Sequence, residues 1–574
     1  MTGEGRSPRA AVRHAVGRVL PAPVRKRVRE GLDGARAAKR RRALLAADPG
    51  LRAAEGPHGA VIGRIAEDFT AAGAAEANLR LVVAAAEAAG LEYFLVPGHS
   101  PVRHVVGLRK ADKKAFLESM RERYGDGDVY AARFSGERCT ARGMYAEGAL
   151  PTAVKNAQTI RFARIGLGPQ GQVLAGLDYG CDVEFWRDGE EFAAQPDFDR
   201  KLDRVRVRIP AAMFAGAWVG PRPNRVADVL PAEARVPAHR EVGGREYPTF
   251  EPFTRKLADD VDFPVDAVYM WVDGDDPAWA AERARYLGGD AAEHAHLGGA
   301  SRYTSRDELK YSLRSLHAFA PFIRHVYIVT AGQTPDWLDT GHDGVTVVDH
   351  AEIFADPSAL PVFSSHAIAT QLHHIEGLSD HYLVLNDDLF FGQPSQAERF
   401  FHANGIAQLP FSPLQIGLGA VRPEDSAPNS AGKNVRALLE PDFGRFITRK
   451  FKHIPHPQLR PVLYELEKRY ADAVDATSRS RFRDPRDIEF AAMLHHHYAM
   501  LTGRAVPGRS KLHYVDIYDP AAPERLAGIL AARDGEFFCL NEVEPVPERE
   551  AEVRAMVRGF LEAYFPFPSP YERS

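Results

Sequence analysis

Apolar and polar positions alternate in two blocks separated by a polar stretch. In the first, the Ala-rich run Ala74 to Ala89, closed by Gly90, predicts a helix. Tyr93 to Val96, Val102 to Leu108, Asp128 to Phe134, Thr159 to Ile165 and Asp182 to Trp186 predict strands. Asp112 is placed to cap a helix running through Met120. This block reads as a separate, smaller α/β domain over residues 59–219. Residues 220–264 are rich in Pro, Gly and charge and read as a linker.

The second block, residues 265–574, changes rhythm. Val265 to Val272 reads as a buried-strand run. Val326 to Thr330, Val345 to Val348 and Tyr382 to Leu385 predict further strands. Asp307 to Ala318 carries Leu309, Leu313 and Leu316 at helical spacing, and His366 to Ile375 also reads as a helix. Strands alternating with helices predict a mostly parallel sheet flanked by helices. Such sheets bind ligands beyond the carboxyl ends of their strands.

Composition narrows the classes. Lys and Arg number 73 against 77 Asp and Glu, a formal charge of -4, which argues against a dedicated nucleic-acid binder. Cys139, Cys181 and Cys539 are far apart and odd in number, so they spell neither a disulfide framework nor a zinc site, and a reducing compartment fits. No apolar run approaches the roughly 18 residues that span a bilayer, and no signal-peptide core is seen, which points to the cytoplasm. Residues 1–50 form a basic arm, with thirteen Arg and Lys from Arg6 to Arg42 facing Glu4, Glu30 and Asp33. Val24, Val28 and Leu32 recur at helical spacing there. The arm reads either as a solvated tail or as a peripheral contact with the anionic inner face of the plasma membrane.

Two features of the first domain have competing readings. Gly166 to Gly171 fits a GxGxxG string, but Pro169 and the strand-like residues after it read as a turn rather than the start of a dinucleotide-binding helix. Asp182 and Glu184 lie two apart on a predicted strand, so both point to one face and offer either a metal site or a solvated edge.

The second block carries the chemistry. Asp273, Asp275 and Asp276 end one strand, and Asp387 and Asp388 end another. Carboxylates gathered at the binding edge of one sheet suit Mg²⁺ (or Mn²⁺) bridging to substrate phosphates. Arg302, Arg306, Lys310 and Arg314 lie in or before one helix and could meet a phosphate or face solvent. His453, His456, Arg481, Arg483 and Arg486 add further cations. His495, His496 and His497 are consecutive on a helix and therefore diverge.

Four ordered segments resemble the Stealth family of sugar-1-phosphate transferases. They are DAVYMWVDGDD (Asp266 to Asp276); the segment from Ser301 to Ser315 with Val326 to Thr330, Leu360 to Ser365 and Leu385 to Phe390; Lys452 to His456 with Phe482 to Asp484 and Glu489-Phe490; and Phe538 to Asn541 with Tyr564 to Ser569. The sequence departs from the family pattern at Glu542, where an Asp is usual after Asn541, and at Thr304 to Arg306, where Arg-Asp-Asn is usual.

The resemblance implies transfer of a sugar-1-phosphate from a nucleotide sugar to a hydroxyl of an acceptor polysaccharide or glycolipid, forming a phosphodiester during cell-surface or capsular polysaccharide synthesis. It implies Asp276 as general base, His456 and Arg483 at the donor phosphates, and Asp273, Asp387 and Asp388 as metal ligands. Arg302, Asp307, Glu308, Lys310, Arg314, Asn386 and Asn541 are the implied substrate-binding residues. Two alternatives stay open: a metal-dependent glycosyltransferase that moves only the sugar, and a non-catalytic glycan-binding protein.

Overall fold

The computed structural model describes residues 22–203, 210–287, 303–543 and 546–573. The chain divides into two compact units, one of Met1–Glu67 with Gly73–Thr254 and one of Asp68–Ala72 with Arg255–Ser574.

The first unit is mixed α/β, and its sheets are mostly antiparallel. The helices Ala71–Ala88 and Lys113–Tyr124 bury Leu79, Val82, Phe116 and Met120 against Val106, Ile160, Phe162 and Val183 of the larger sheet. Gly166–Leu167 and Val173–Ala175 pair across a turn closed by the Gly171 N–H on the Gly168 carbonyl at 2.9 Å. The GxGxxG string is therefore a strand turn, as its Pro169 indicated.

The expected linker, 220–264, is largely built into this unit. Pro237–Val242 and Arg245–Phe250 form a hairpin around Gly243 and Gly244, at φ 55° and 72°. A two-residue turn with both φ values positive suits the twist of paired strands and favours glycine. Tyr247 of that hairpin is fully buried in the domain core. The unit boundary falls after Thr254, so the composition that mimicked a linker is that of a surface hairpin.

The second unit positions the site. The strands that frame it are β1 (Val265–Met270), β2 (Ile323–Thr330), β3 (Val345–Asp349), β4 (His381–Asn386), β5 (Leu389–Phe391), β6 (His456–Leu459), β7 (Leu512–Asp516) and β8 (Phe537–Asn541). The central sheet runs β3-β2-β1-β4-β6, with its first four strands parallel and β6 antiparallel. β1 is buried along nearly its whole length, as suits an inner parallel strand, and its buried Asp266 accepts from Arg324 at 2.9 and 2.7 Å. The chain winds outward from β1 through β2 to β3 and then returns to β4 on the other side. That reversal opens a crevice at the carboxyl ends of β1 and β4. A second sheet, β5-β8-β7, brings Asn541 and Glu542 up to the same region. Helix α1 (Glu308–Phe319) packs Leu309, Leu313 and Leu316 inward, as the spacing predicted.

The helix expected at His366 to Ile375 is instead two short turns, Ser365–Ala369 and Leu372–His374. His373 and His374 both reach Glu467, at 3.2 and 3.0 Å.

Candidate active site

A cleft of about 260 Å³ opens where β1 and β4 diverge. Its acidic wall is Glu308, Asp387, Asp388 and Glu542; Arg306 and Arg483 supply cations, and Trp279, Tyr303 and Phe363 supply an aromatic side. The acidic end of β4 reaches this region, whereas the segment after β1 lines it with Trp271 and Val272 and leaves Asp273 and Asp276 outside the lining. β4 ends at Asn386 and is followed by Asp387 and Asp388, and β1 is followed by Trp271, Val272 and Asp273.

The acidic wall is electrostatically costly as it stands. Burial raises Asp387 well above the usual carboxylate range, and the charges of Glu308 and Asp388 push it further. Burial also raises Glu308 and Glu542. Asp388 Oδ1 and Glu542 Oε2 are shielded from solvent and accept no hydrogen bond from the described residues. Unsatisfied carboxylate oxygens crowded in one cleft fit a hard divalent cation, which takes oxygen ligands and cancels their repulsion. Cys539 Sγ lies 3.4 Å from Asp388 Oδ2, and Asp388, His453 and Cys539 could also share an ion. Burial drives the Cys539 thiol well up, and a hard divalent cation favours the carboxylate oxygens over its sulfur.

Arg306 neutralises part of the wall. It is buried and contacts Glu542, donates two hydrogen bonds to Glu550 at 3.0 and 2.7 Å, and lies 3.5 Å from Glu308. Its guanidinium is thus committed to carboxylates of its own chain.

Arg483 reaches the cleft from the opposite side and donates to Ser365 Oγ at 2.9 Å. Two loops are zipped together there, since the Phe363 N–H also donates to the Arg481 carbonyl at 2.7 Å. Phe363 stacks on Phe482 at 5.2 Å, and Tyr303 donates to the Phe363 carbonyl at 2.8 Å.

His453 and His456 occupy different environments. His453 Nε2 lies 3.7 Å from Asp388 Oδ1 and 3.3 Å from Asn386 Nδ2. Burial alone would lower its pKa, but the Asp388 carboxylate, with Glu489, holds it above the ordinary imidazole value. His456 lies deeper, with its Nδ1 3.1 Å from His496 Nε2. Burial and the neighbouring His453 and His495 depress it to about 3, so it is neutral at physiological pH. Of the three consecutive histidines only His497 turns away, while His495 and His496 stay in contact, Nδ1 to Nδ1 at 3.0 Å. His495 accepts from the Leu459 N–H at 3.0 Å, His496 faces His456, and His497 reaches the Arg449 carbonyl at 3.0 Å.

Asp276 stands on the loop after β1 and is not among the cleft-lining residues. Its Oδ1 accepts from the Ala278 and Trp279 N–H groups at 2.8 and 3.3 Å, capping the helix Pro277–Leu287. Its Oδ2 accepts from Gln333 at 3.2 Å, and these bonds, Gln333's foremost, hold its pKa below the usual range. Asp273 Oδ1 accepts from the Asp275 N–H at 2.9 Å. Gln333 also bonds the Asp273 backbone at both ends, 3.0 and 2.9 Å, so it fixes the whole acidic loop. The sequence reading passed over Gln333. The available signal was its place just after Thr330, at the carboxyl end of a parallel strand.

Three implied substrate-binding residues do not line the cleft. Lys310 lies 3.8 Å from Glu572, and Arg314 donates to the two oxygens of Glu572 at 2.8 and 2.6 Å, so both pin the C-terminal segment. Asp307 is exposed, at φ 67° before α1, with no capping bond. Arg302 lies outside the described residues. Glu308, Asn386 and Asn541 do line the cleft. The aromatic side, Trp279, Tyr303 and Phe363, was missed because each reads as ordinary core in sequence.

Glu489 entered the sequence reading only as part of a motif. It precedes a π-helical turn, Phe490–Leu494, a feature frequent at functional sites. Its Oε2 is shielded and unbonded among the described residues, and burial lifts the carboxyl to about 7, against the pull of the Ala492 and Met493 N–H groups, His453 and Arg483.

Comparison with known proteins agrees with this geometry. The chain matches all four Stealth conserved regions in order: region 1 at residues 263–291, region 2 at 302–409, region 3 at 452–500 and region 4 at 527–574. It is 42% identical over 528 residues to exopolysaccharide phosphotransferase SCO6023 of Streptomyces coelicolor, covering 90% of this chain and 85% of that one. It is 33% identical over 527 residues to exopolysaccharide phosphotransferase CpsY of Mycobacterium tuberculosis, covering 86% and 93%. A solved galactosyltransferase, LgtC, with donor and acceptor sugar analogues overlaps at a TM-score of 0.27 and 11% identity, covering 53% of this chain and 97% of that one, which is too low to carry inference. The four conserved regions surround the cleft, and the relatedness extends along most of the chain on both sides of the unit boundary: the protein belongs to the Stealth family of phosphotransferases.

Proposed function

We propose that the protein transfers a sugar-1-phosphate from a nucleotide sugar to a hydroxyl of an acceptor glycan during exopolysaccharide synthesis. The observation that carries this reading is the cleft itself, where a buried carboxylate cluster faces Arg483 and His453. A site that handles a diphosphate must neutralise it on several sides. Asp387, Asp388 and Glu542 would hold Mg²⁺ or Mn²⁺, with Asp273 nearby on the β1 loop. The cation supplies charge neutralisation at the diphosphate.

The residues divide the remaining work. Arg483, oriented by Ser365, grips a phosphate in its planar fork. His453 brings a second positive charge. His456 is neutral and supports His453 from beneath rather than contributing charge itself. Asp276, matched to the family's catalytic carboxylate, takes the acceptor proton, and its low proton affinity makes it dependent on a well-aligned hydroxyl. Glu489, tuned near neutrality, is the second carboxyl suited to proton exchange. The aromatic side accepts the flat face of the nucleotide or sugar.

Among the described residues no helix is long and apolar enough to cross a membrane. The basic segment brings the enzyme to the inner, anionic membrane face. Lys39 and Arg42 are exposed on the helix Ala22–Ala47, whereas Arg40 and Arg41 bond Glu147 of the first unit. Much of that segment, residues 1–21, lies outside the described residues.

The test is product analysis with purified protein, Mg²⁺ and a panel of nucleotide sugars. Release of nucleoside monophosphate supports the reading, whereas release of nucleoside diphosphate would replace it with glycosyl transfer.

A further inference from the structure

The first unit holds a larger cavity of its own, about 1120 Å³, which plays no part in the chemistry described above. Its floor is the strand Cys181–Asp188, whose Asp182 and Glu184 face one side, as strand alternation requires. These are the two acids that offered a metal site in the sequence. The structure gives them to arginines instead. Arg161, directly opposite Asp182 in the neighbouring strand, donates to it at 2.7 and 3.3 Å. Arg222 reaches over from a loop and donates to Glu184 at 2.6 Å and to Asp182 at 2.8 Å. Both carboxylates are thereby consumed.

Positive charge is left over. The Arg161 side chain is only 4% exposed, yet its Nη1 has no hydrogen-bond acceptor among the described residues. The nearest carboxylate oxygen is Asp178 Oδ1, 3.9 Å away on a half-exposed side chain. Arg103 shares the cavity with it. Arg103 holds the Asp178 carbonyl at 3.3 Å and lies 3.9 Å from the exposed Glu137. Burial, then the charge of Arg161, lowers the pKa of Arg103, which registers the cost of placing two guanidinium groups in one cavity. An anion between them removes that cost and satisfies the orphaned Nη1. The wall beyond carries Ser100, Asn156 and Gln158, neutral groups that suit hydroxyls.

We propose that this cavity binds a phosphate-bearing saccharide, with its phosphate on Arg161 and Arg103 and its hydroxyls on the amide-lined wall. The anion subsite rests on the arginines alone, and the choice of a saccharide rests also on the phosphosugar reading of the cleft. In that setting the first unit holds a repeat of the phosphodiester-linked glycan that the enzyme extends.

The experiment is calorimetric titration of the full-length protein with a hexose 1-phosphate, inorganic phosphate and the parent hexose. Three variants accompany the wild type: Arg103→Gln, Asn156→Asp and, in the cleft, Arg483→Ala. Asn156 is exposed, so its substitution leaves the fold intact and puts a repelling charge in the cavity. The expected result is that hexose 1-phosphate binds wild type and Arg483→Ala alike, binds the two cavity variants roughly tenfold or more weakly, and outcompetes both phosphate and hexose. Binding that is lost in Arg483→Ala but kept in Asn156→Asp would place the ligand in the cleft and overturn the proposal. Equal affinity for inorganic phosphate would overturn the saccharide assignment. Nucleotide release from the donor, measured on the cavity variants, is read separately, so failure here is distinguishable from failure of the proposed transfer reaction.

Discussion

Nε2 of His453 lies 3.7 Å from Oδ1 of Asp388, joining the acidic end of β4 to the basic segment that leads into β6. Against the opposing effect of burial, the carboxylate raises the imidazole pKa above its ordinary value. Asp388→Asn is expected to lower the His453 pKa, as read by NMR titration of the imidazole. The sign for stability follows: the contribution of His453 is complete below the unfolded value of about 6.5 and is lost as pH rises through the higher folded value. The same substitution is expected to abolish transfer. An unchanged His453 titration would mean that the carboxylate does not govern it.

Arg483→Ala and Arg483→Lys are both expected to lose transfer while melting as wild type does. Lysine keeps the charge but cannot grip two phosphate oxygens in a planar fork or hold Ser365 at the same time. Steady-state kinetics check this. Near-normal turnover in Arg483→Lys would reduce the residue to a point charge.

Asp276→Asn retains the Oδ1 acceptor that caps Pro277–Leu287, so folding is expected to survive. The loss of a general base typically costs roughly 10²- to 10⁴-fold in rate. Wild-type rate in a normally melting Asp276→Asn protein, together with loss in Glu489→Gln, would move the base assignment to Glu489.

These assignments show where the sequence was readable. The apolar runs at Val265 and Tyr382 ending in aspartates marked two parallel strands and the edge where they deliver carboxylates, because burial and chemistry both act there on neighbouring residues. Partners far apart in the chain were not readable. Lys310 and Arg314 resembled phosphate ligands until Glu572 was seen beside them. Arg306 resembled one until Glu542 and Glu550 closed on it. The hairpin at Gly243-Gly244 shared its composition with a linker, and its strand pairing with the burial of Tyr247 and Thr249 separates the two.

The histidines beneath the site predict acid sensitivity. Burial depresses His456 and His495 to about 3 and His497 to about 4, and His496 well below its ordinary value. Groups held neutral in the fold contribute stability that is complete above the unfolded value of about 6.5 and is lost as pH falls toward the folded values. Urea denaturation at pH 7.5, 5.5 and 4.5 is expected to show a steep fall in midpoint that is shallower in His496→Gln. A flat profile would mean that these imidazoles admit protons without cost.

The central claim is that the phosphorus bonded to the sugar leaves with the sugar. The direct measurement uses a nucleotide sugar radiolabelled at that phosphorus, incubated with the enzyme, a divalent cation and acceptor glycan, followed by separation of polymer from nucleotide. Phosphosugar transfer predicts label in the polymer, unlabelled nucleoside monophosphate as by-product, and no transfer by Asp388→Asn. Label remaining on a released nucleoside diphosphate, with sugar alone in the polymer, would contradict it.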